Sequence, residues 1–188
     1  MVVRDVDPAC KDCAGVNKTD GPSYCCENSR LGPSVLPTKP PFPVLLEGYK
    51  RFGNLTARQF VNNTTWFNQT SNTYVYPYAD GFQNDTSMVP IKGMEILTTG
   101  MRVDHFGGLN ILAPSVTAFS QRSLPPSCLN NIDNNYNQYE VAKSFTVLSG
   151  PVTGNMSLKG YLYFERNALN SFAQPGLRNR GRVYSICS

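Results

Sequence analysis

Residues 100–126 hold the polar side chains whose types and spacing could do chemistry. Asp104, His105, Gln121 and Arg122 flank the pair Gly107-Gly108. His105 is the only histidine of the chain, and imidazole is the side chain that ordinarily gains or loses charge near neutral pH. Arg122 keeps its charge at every usable pH and presents a planar fork of donors. The plainer alternative is a β-hairpin carrying ordinary surface charges. A second cluster is Cys10-x-x-Cys13 with Cys25-Cys26. Thiolates at that first spacing can hold zinc in a tetrahedral site, or the four can form disulfides. Adjacency of Cys25 and Cys26 is awkward for two ligands of one ion, and it also disfavours a bridge between those two. Disulfides are therefore the expectation, with the pairing of the six cysteines left open.

The elements that must position the first cluster are strands. Residues 101–106 alternate apolar and polar side chains, the period of a half-buried strand. Gly107-Gly108 breaks it, and residues 109–114 resume an apolar run. Pro125-Pro126 then pins the chain beyond Arg122 by its fixed φ. Further strands are expected at residues 74–76, 94–97, 139–148, 158–164 and 182–186, each rich in β-branched or aromatic residues between turn residues. Residues 130–138 read as an Asn-rich loop. Helices are expected only at about residues 56–66, capped by Asn54 or Thr56, and near residues 45–52. Residues 37–43 form a proline-rich connector.

Length and composition bound the rest. A chain of 188 residues, 16% charged and rich in Gly and Pro, suits one turn-rich domain and excludes coiled coil or disorder. The expected fold is α+β: a small, curved, mainly antiparallel sheet with short helices and a disulfide-rich N-terminal extension. The boundary falls between a Cys/Pro-rich extension over 1–43 and a domain over 44–188. No apolar run is long enough to span a membrane, and no signal-peptide pattern opens the sequence. A net charge of +4 without a dense basic face or a reading module argues against nucleic acid and suits a small anionic ligand. Arg178, Arg180 and Arg182 are the one basic cluster; they can serve such a ligand or protect an edge strand. Asn-x-Ser/Thr acceptors stand at Asn17, Asn54, Asn62, Asn63, Asn68, Asn84 and Asn155. With the cysteines, they point to an oxidising, extracellular compartment and a glycoprotein.

The order of motifs around the glycine pair adds a resemblance. Gly100-Met101-x-Val103-Asp104-x-Phe106-Gly107, then Ile111-Leu112-Ala113-Pro114, then Arg122-Ser123-Leu124-Pro125-Pro126 resembles the core of the tuberculosis necrotizing toxin domain. It is most similar to the fungal secreted NAD glycohydrolases of that family. Upstream, residues 30–37 (RLGPSVLP) and 76–82 (YPYADGF) share the likeness, as do Tyr139-Glu140-Val141, Gly150-Pro151 and Gln174-Pro175-Gly176 downstream. Residues 10–176 are covered, in order.

This resemblance implies hydrolysis of the nicotinamide–ribose bond of NAD or NADP, giving nicotinamide and ADP-ribose. The pyridinium leaves as neutral nicotinamide, so no general acid is needed, and the ribose passes through an oxocarbenium-like state. A paired-carboxylate site is therefore not required. The protein must clamp the pyrophosphate, hold the ring and place a water. In the family two arginines and a glutamine do this, with aromatics at the nicotinamide end. Arg122 matches one arginine and is the expected catalytic residue. His105 stands where the family carries the other arginine, Phe106 matches the following aromatic, and Ile111 falls where the fungal enzymes carry an aromatic. The glutamine beyond Gln174-Pro175-Gly176 has no counterpart; counting forward lands on Arg180 and back from Tyr184 on Val183. His105, Phe106, Ile111, Arg180 and Arg182 are thus the residues expected to bind NAD. The alternative is a catalytically degraded domain kept as a nucleotide-binding or interaction module. No cofactor is expected, and no metal: beyond Glu165 the chain has no Asp or Glu to hold a hard cation. The resemblance also implies a homodimer, and Cys187, one position from the C-terminus, is placed to bridge two copies.

Overall fold

The N-terminal third contains too little regular structure to hold itself by backbone ladders, and covalent and charged ties replace them. The computed structural model describes residues 6–75, 81–106, 111–152, 161–164 and 177–179. Disulfides join Cys10 to Cys25 and Cys13 to Cys26, which settles the first cysteine cluster as bridges. Around them Val16, Leu31, Phe52, Ala57, Phe60 and Val61 form a small buried cluster. Arg51, its side chain fully buried, pins the segment from below. Its Nε and Nη2 donate to Asp7 Oδ2 at 3.0 and 2.8 Å, and its Nη1 donates to Leu31 O at 2.6 Å. Gly32, at φ 78°, must be glycine twice over, because a Cβ there would meet Pro126 O and the Arg51 guanidinium. The residue ranges 1–43 and 44–188 therefore share one apolar cluster and one buried ion pair.

Helix α1 spans Phe42–Leu45 and α2 spans Ala57–Val61. Helix α2 opens on a capping box: Thr56 Oγ1 accepts from Gln59 N while Gln59 Oε1 accepts from Thr56 N. It ends at Asn62, short of the expected residue 66, and Asn63 Oδ1 accepts from Thr65 N to hold a turn instead. Strands β1 (Phe67–Asn68) and β2 (Thr73–Tyr74) make a two-stranded ribbon.

The remaining described chain forms an antiparallel sheet. Its strands are β3 (Gly93–Leu97), β4 (Arg102–Phe106), β5 (Ile111–Pro114), β6 (Tyr136–Val141), β7 (Phe145–Pro151), β8 (Tyr161–Phe164) and β9 (Leu177–Asn179), in the order β3-β7-β8-β5-β4-β6-β9. The single strand expected over residues 139–148 is two, β6 and β7, because the chain passes from beside β4 to beside β3. A third helix, α3 (Ile132–Asn135), and the start of β6 occupy the expected Asn-rich loop. The strand expected at residues 182–186 lies outside the described residues. Two apolar clusters sandwich the sheet's centre. Phe42, Leu45, Phe106, Phe119, Cys128 and Leu129 form one; Leu97, Val103, Leu112, Val141 and Val147 form the other. Gly150 lets β7 pass close to its neighbours, since a Cβ there would meet Ile91 O and the Phe82 ring. The α+β expectation, with short helices, antiparallel pairing and N-terminal disulfides, is what the chain adopts.

Candidate active site

Strand β4 is the hinge of the site, because Val103, Asp104, His105 and Phe106 are all buried. Side chains alternate across a strand, so the four divide between the two faces of the sheet. The register fixes which β6 residues share each face: Asp104 lies opposite Gln138 and Phe106 opposite Tyr136, while Val103 lies opposite Tyr139 and His105 opposite Asn137.

On the first face, Asp104 and Arg122 form an ion pair, Nη1 to Oδ1 2.5 Å, with side chains 0% and 3% exposed. Tyr136 Oη donates to Asp104 Oδ2 at 2.8 Å, and Val116 N donates to the same oxygen at 3.3 Å. Gln138 Nε2 in turn donates to Tyr136 Oη at 3.1 Å. The other edge of the Arg122 fork is also occupied: Nε and Nη2 both donate to Thr117 O, at 3.0 and 2.8 Å. The guanidinium carbon lies 5.0 Å from the centre of the Phe106 ring, which packs against Phe119 and Tyr136. A 3-10 turn over Phe119–Gln121 ends at Arg122 and delivers it to this position. Burial, then the Asp104 carboxylate, pushes the Tyr136 hydroxyl well above the ordinary tyrosine range, so it stays a donor. Arg122 is thus aimed at protein groups and ties the chain that follows β5 to the centre of β4.

On the second face, the His105 and Tyr139 rings stack nearly parallel, 7° apart with centroids 5.4 Å apart. His105 Nε2 and Tyr139 Oη lie at hydrogen-bonding distance, 2.8 Å. Burial raises the pKa of the Tyr139 hydroxyl. Beside them Asn137 is 2% exposed, and neither atom of its carboxamide has a partner. This face continues into the cluster of Val103, Leu112 and Val141.

The structure therefore brings Arg122 and Phe106 together on one face and sets His105 on the other. Ile111 opens β5, its backbone paired with Phe164. Arg180 and Arg182 lie outside the described residues; they follow Asn179, which pairs with Tyr139 in the β6–β9 ladder. Among the described residues no group of three His, Cys, Asp or Glu could hold a metal. Tyr136, Asn137 and Tyr139 were not among the expected site residues. Their signal was the aromatic pair Tyr136 and Tyr139, hidden in a stretch whose asparagines read as loop. No helix among the described residues is long and apolar enough to cross a membrane.

Comparison with known proteins bears on this geometry. Residues 96–162, which run from the end of β3 to the start of β8, match the family described as tuberculosis necrotizing toxin. Over 146 residues the chain is 41% identical to the conidial surface nicotinamide adenine dinucleotide glycohydrolase of Aspergillus fumigatus, an alignment that takes in 74% of this chain. The chain spans 62% of that relative's length. Among solved structures, one described as Rhs1-CT in complex with cognate immunity protein RhsI1 aligns with 50% of this chain and 81% of its own at 12% identity. Its TM-score of 0.35 is too low to carry an argument. The matched residues contain the buried β4–β6 pair and the Asp104–Arg122 anchor, so the similarity to the tuberculosis necrotizing toxin family falls on the residues that build this site.

Proposed function

We propose that this protein is a secreted NAD glycohydrolase that cleaves the nicotinamide–ribose bond of NAD or NADP. The observation that carries the reading is the 41% identity, over 146 residues, to a protein named for that activity. The geometry supports it. A buried, neutralised Asp104–Arg122 pair sets the loop beside β4, and His105 with Tyr139 offers a flat, partly polar surface on the opposite face. His105, Ile111, Arg180 and Arg182 are the groups we assign to NAD, with Arg180 and Arg182 answering the pyrophosphate; Phe106, on the opposite face of β4, supports the site from behind. Arg122 acts in this scheme through the loop it fixes. No cofactor is required, because the leaving group departs neutral and water completes the reaction.

The surface-named relative, the N-glycan acceptors and the two disulfides support an extracellular glycoprotein. We further propose a homodimer, joined through Cys187; Met94 and Ile96, exposed on the outermost strand β3, supply an apolar face that a second copy would cover. The division into an extension over 1–43 and a domain over 44–188 is part of the proposal. The experiment for the activity is direct: incubate the purified chain with NAD and follow free nicotinamide and ADP-ribose. Absence of both products at micromolar enzyme would end the hydrolase reading.

A further inference from the structure

Asn137 is the polar group that the scheme above leaves without work. Its side chain is 2% exposed, on the same face as His105 and Tyr139 and directly opposite His105 in the strand register. Both carboxamide atoms are buried and neither Nδ2 nor Oδ1 meets a hydrogen-bonding partner. A buried carboxamide with neither bond made is destabilising, because both atoms have lost water and gained nothing. Among the described residues the other buried asparagines do not share the situation; Asn28 donates from Nδ2 to Asn17 O at 3.0 Å and accepts from Arg30 N at 3.1 Å. Asn135 donates from Nδ2 to Asn130 O at 2.6 Å.

The neighbours of Asn137 narrow the kind of group that could complete it. Along one edge a primary carboxamide offers one N–H donor and one carbonyl acceptor in a plane, so its two-point complement is another planar donor–acceptor pair. The adjoining His105 and Tyr139 rings lie parallel within 7°, a surface that favours a flat ring over a puckered sugar. We propose that Asn137 is a specificity-determining residue that pairs edge to edge with a primary carboxamide on a flat heteroaromatic ligand, the nicotinamide end of NAD. The identity of that ligand rests on the hydrolase reading; the preference for a carboxamide rests on Asn137 alone.

The test compares nicotinamide with 3-acetylpyridine, which keeps the ring and carbonyl but replaces the amide nitrogen with methyl. Equilibrium binding of both is measured by NMR on the full chain, and cleavage of NAD is measured against its 3-acetylpyridine analogue. Wild type should prefer the carboxamide by about tenfold or more, the worth of one hydrogen bond in a site built to make it. Asn137→Leu and Asn137→Ser should each bring that ratio to near one; either variant suffices if the other fails to fold. Asn137→Leu should also melt no lower than wild type, since it removes two unpaired polar atoms from an apolar setting. An unchanged ratio in a folded variant overturns the proposal, and so does a variant that loses affinity for ADP-ribose while keeping the ratio. A fall in melting temperature with the ratio intact overturns it too, in favour of a structural amide completed by water. Wild type that prefers nicotinamide tenfold but releases none from NAD would retire the hydrolase reading and leave Asn137 standing. Turnover with no carboxamide preference would do the reverse.

Discussion

Replacing Arg122 separates two ways in which this arginine could matter. In the structure its Nη1 meets Asp104 and its Nε and Nη2 meet Thr117 O, with both charged side chains nearly inaccessible. Arg122→Ala would leave a buried carboxylate with Tyr136 Oη and Val116 N as its remaining donors. Breaking one half of a buried pair typically costs about 3–5 kcal/mol, chiefly from the charge left behind. For a chain of this size each kcal/mol lowers the melting temperature by about 2–4 °C, so a fall of roughly 6–20 °C is expected. The double variant Asp104→Asn with Arg122→Met removes both charges and should recover most of that loss, because a neutral, similar-sized replacement of a buried pair is often close to neutral. Thermal unfolding by circular dichroism and nicotinamide release are measured on the same preparations. An Arg122→Ala variant that melts within about 2 °C of wild type yet releases no nicotinamide would refute the anchor. So would a double variant with wild-type stability and no activity, because the guanidinium would then be needed on the substrate itself.

Four further outcomes follow from other contacts. Val116 sits at φ 67°, a region a β-branched residue strains to occupy, and its side chain is exposed; Val116→Gly should therefore stabilise the fold by on the order of 1 kcal/mol, read as a small rise in melting temperature. Replacing Cys13 and Cys26 by serine should cost about 2–4 kcal/mol, seen as a lower urea midpoint, while a matched midpoint would mean the N-terminal cluster holds without that bridge. Residues 44–188 expressed alone should unfold more readily than the full chain, because Arg51 loses Asp7. The tyrosines give a pH dependence: burial, chiefly, raises the hydroxyl pKa of Tyr49, Tyr74, Tyr136 and Tyr139 in the folded state. Their contribution is full below the unfolded value of about 10 and is lost as pH rises through the folded values. Melting temperature should then fall above about pH 10, and Tyr136→Phe should shallow that fall.

Where local chemistry decided the structure, the sequence was legible. Thr56 and Gln59 spell a capping box three residues apart, and α2 begins there. Residues 101–106 alternate, and β4 forms there. Where a distant partner decided, it was not. Tyr136, Asn137 and Gln138 follow four asparagines and read as loop, yet pairing with Phe106, His105 and Asp104 makes them strand. The end of α2 was misjudged because Phe67 continued its apolar stripe, while Asn62 and Asn63 offered the backbone side-chain partners outside the helix. Asp104 was visible as a polar residue, but nothing in its neighbourhood showed that its counterion lay 18 positions away. The family likeness supplied Arg122; the direction of its fork came only from the fold.

The division of β4 into two faces also separates Asp104, which matches the pattern this chain resembles, from His105, which departs from it. Asp104 and Phe106 point to the side where Arg122, Tyr136 and Phe119 close a buried charge and an aromatic cluster. A change at Asp104 strands a cation in that cluster, so the position is held by stability whatever the substrate. His105 points the other way, where its Nε2 meets the Tyr139 hydroxyl. Exchanging an arginine for a histidine at that position leaves the Asp104–Arg122 pair untouched, because alternate residues of a strand do not share a face. Its consequence falls on the ligand instead. A fixed cation is replaced by a flat ring that stacks on Tyr139. His105→Arg should accordingly leave the melting temperature close to wild type while changing KM for NAD, most above pH 7 where imidazole is ordinarily neutral. A variant that instead unfolds, with KM unmoved in what remains, would show that His105 belongs to the core and that the second face is not where NAD is read.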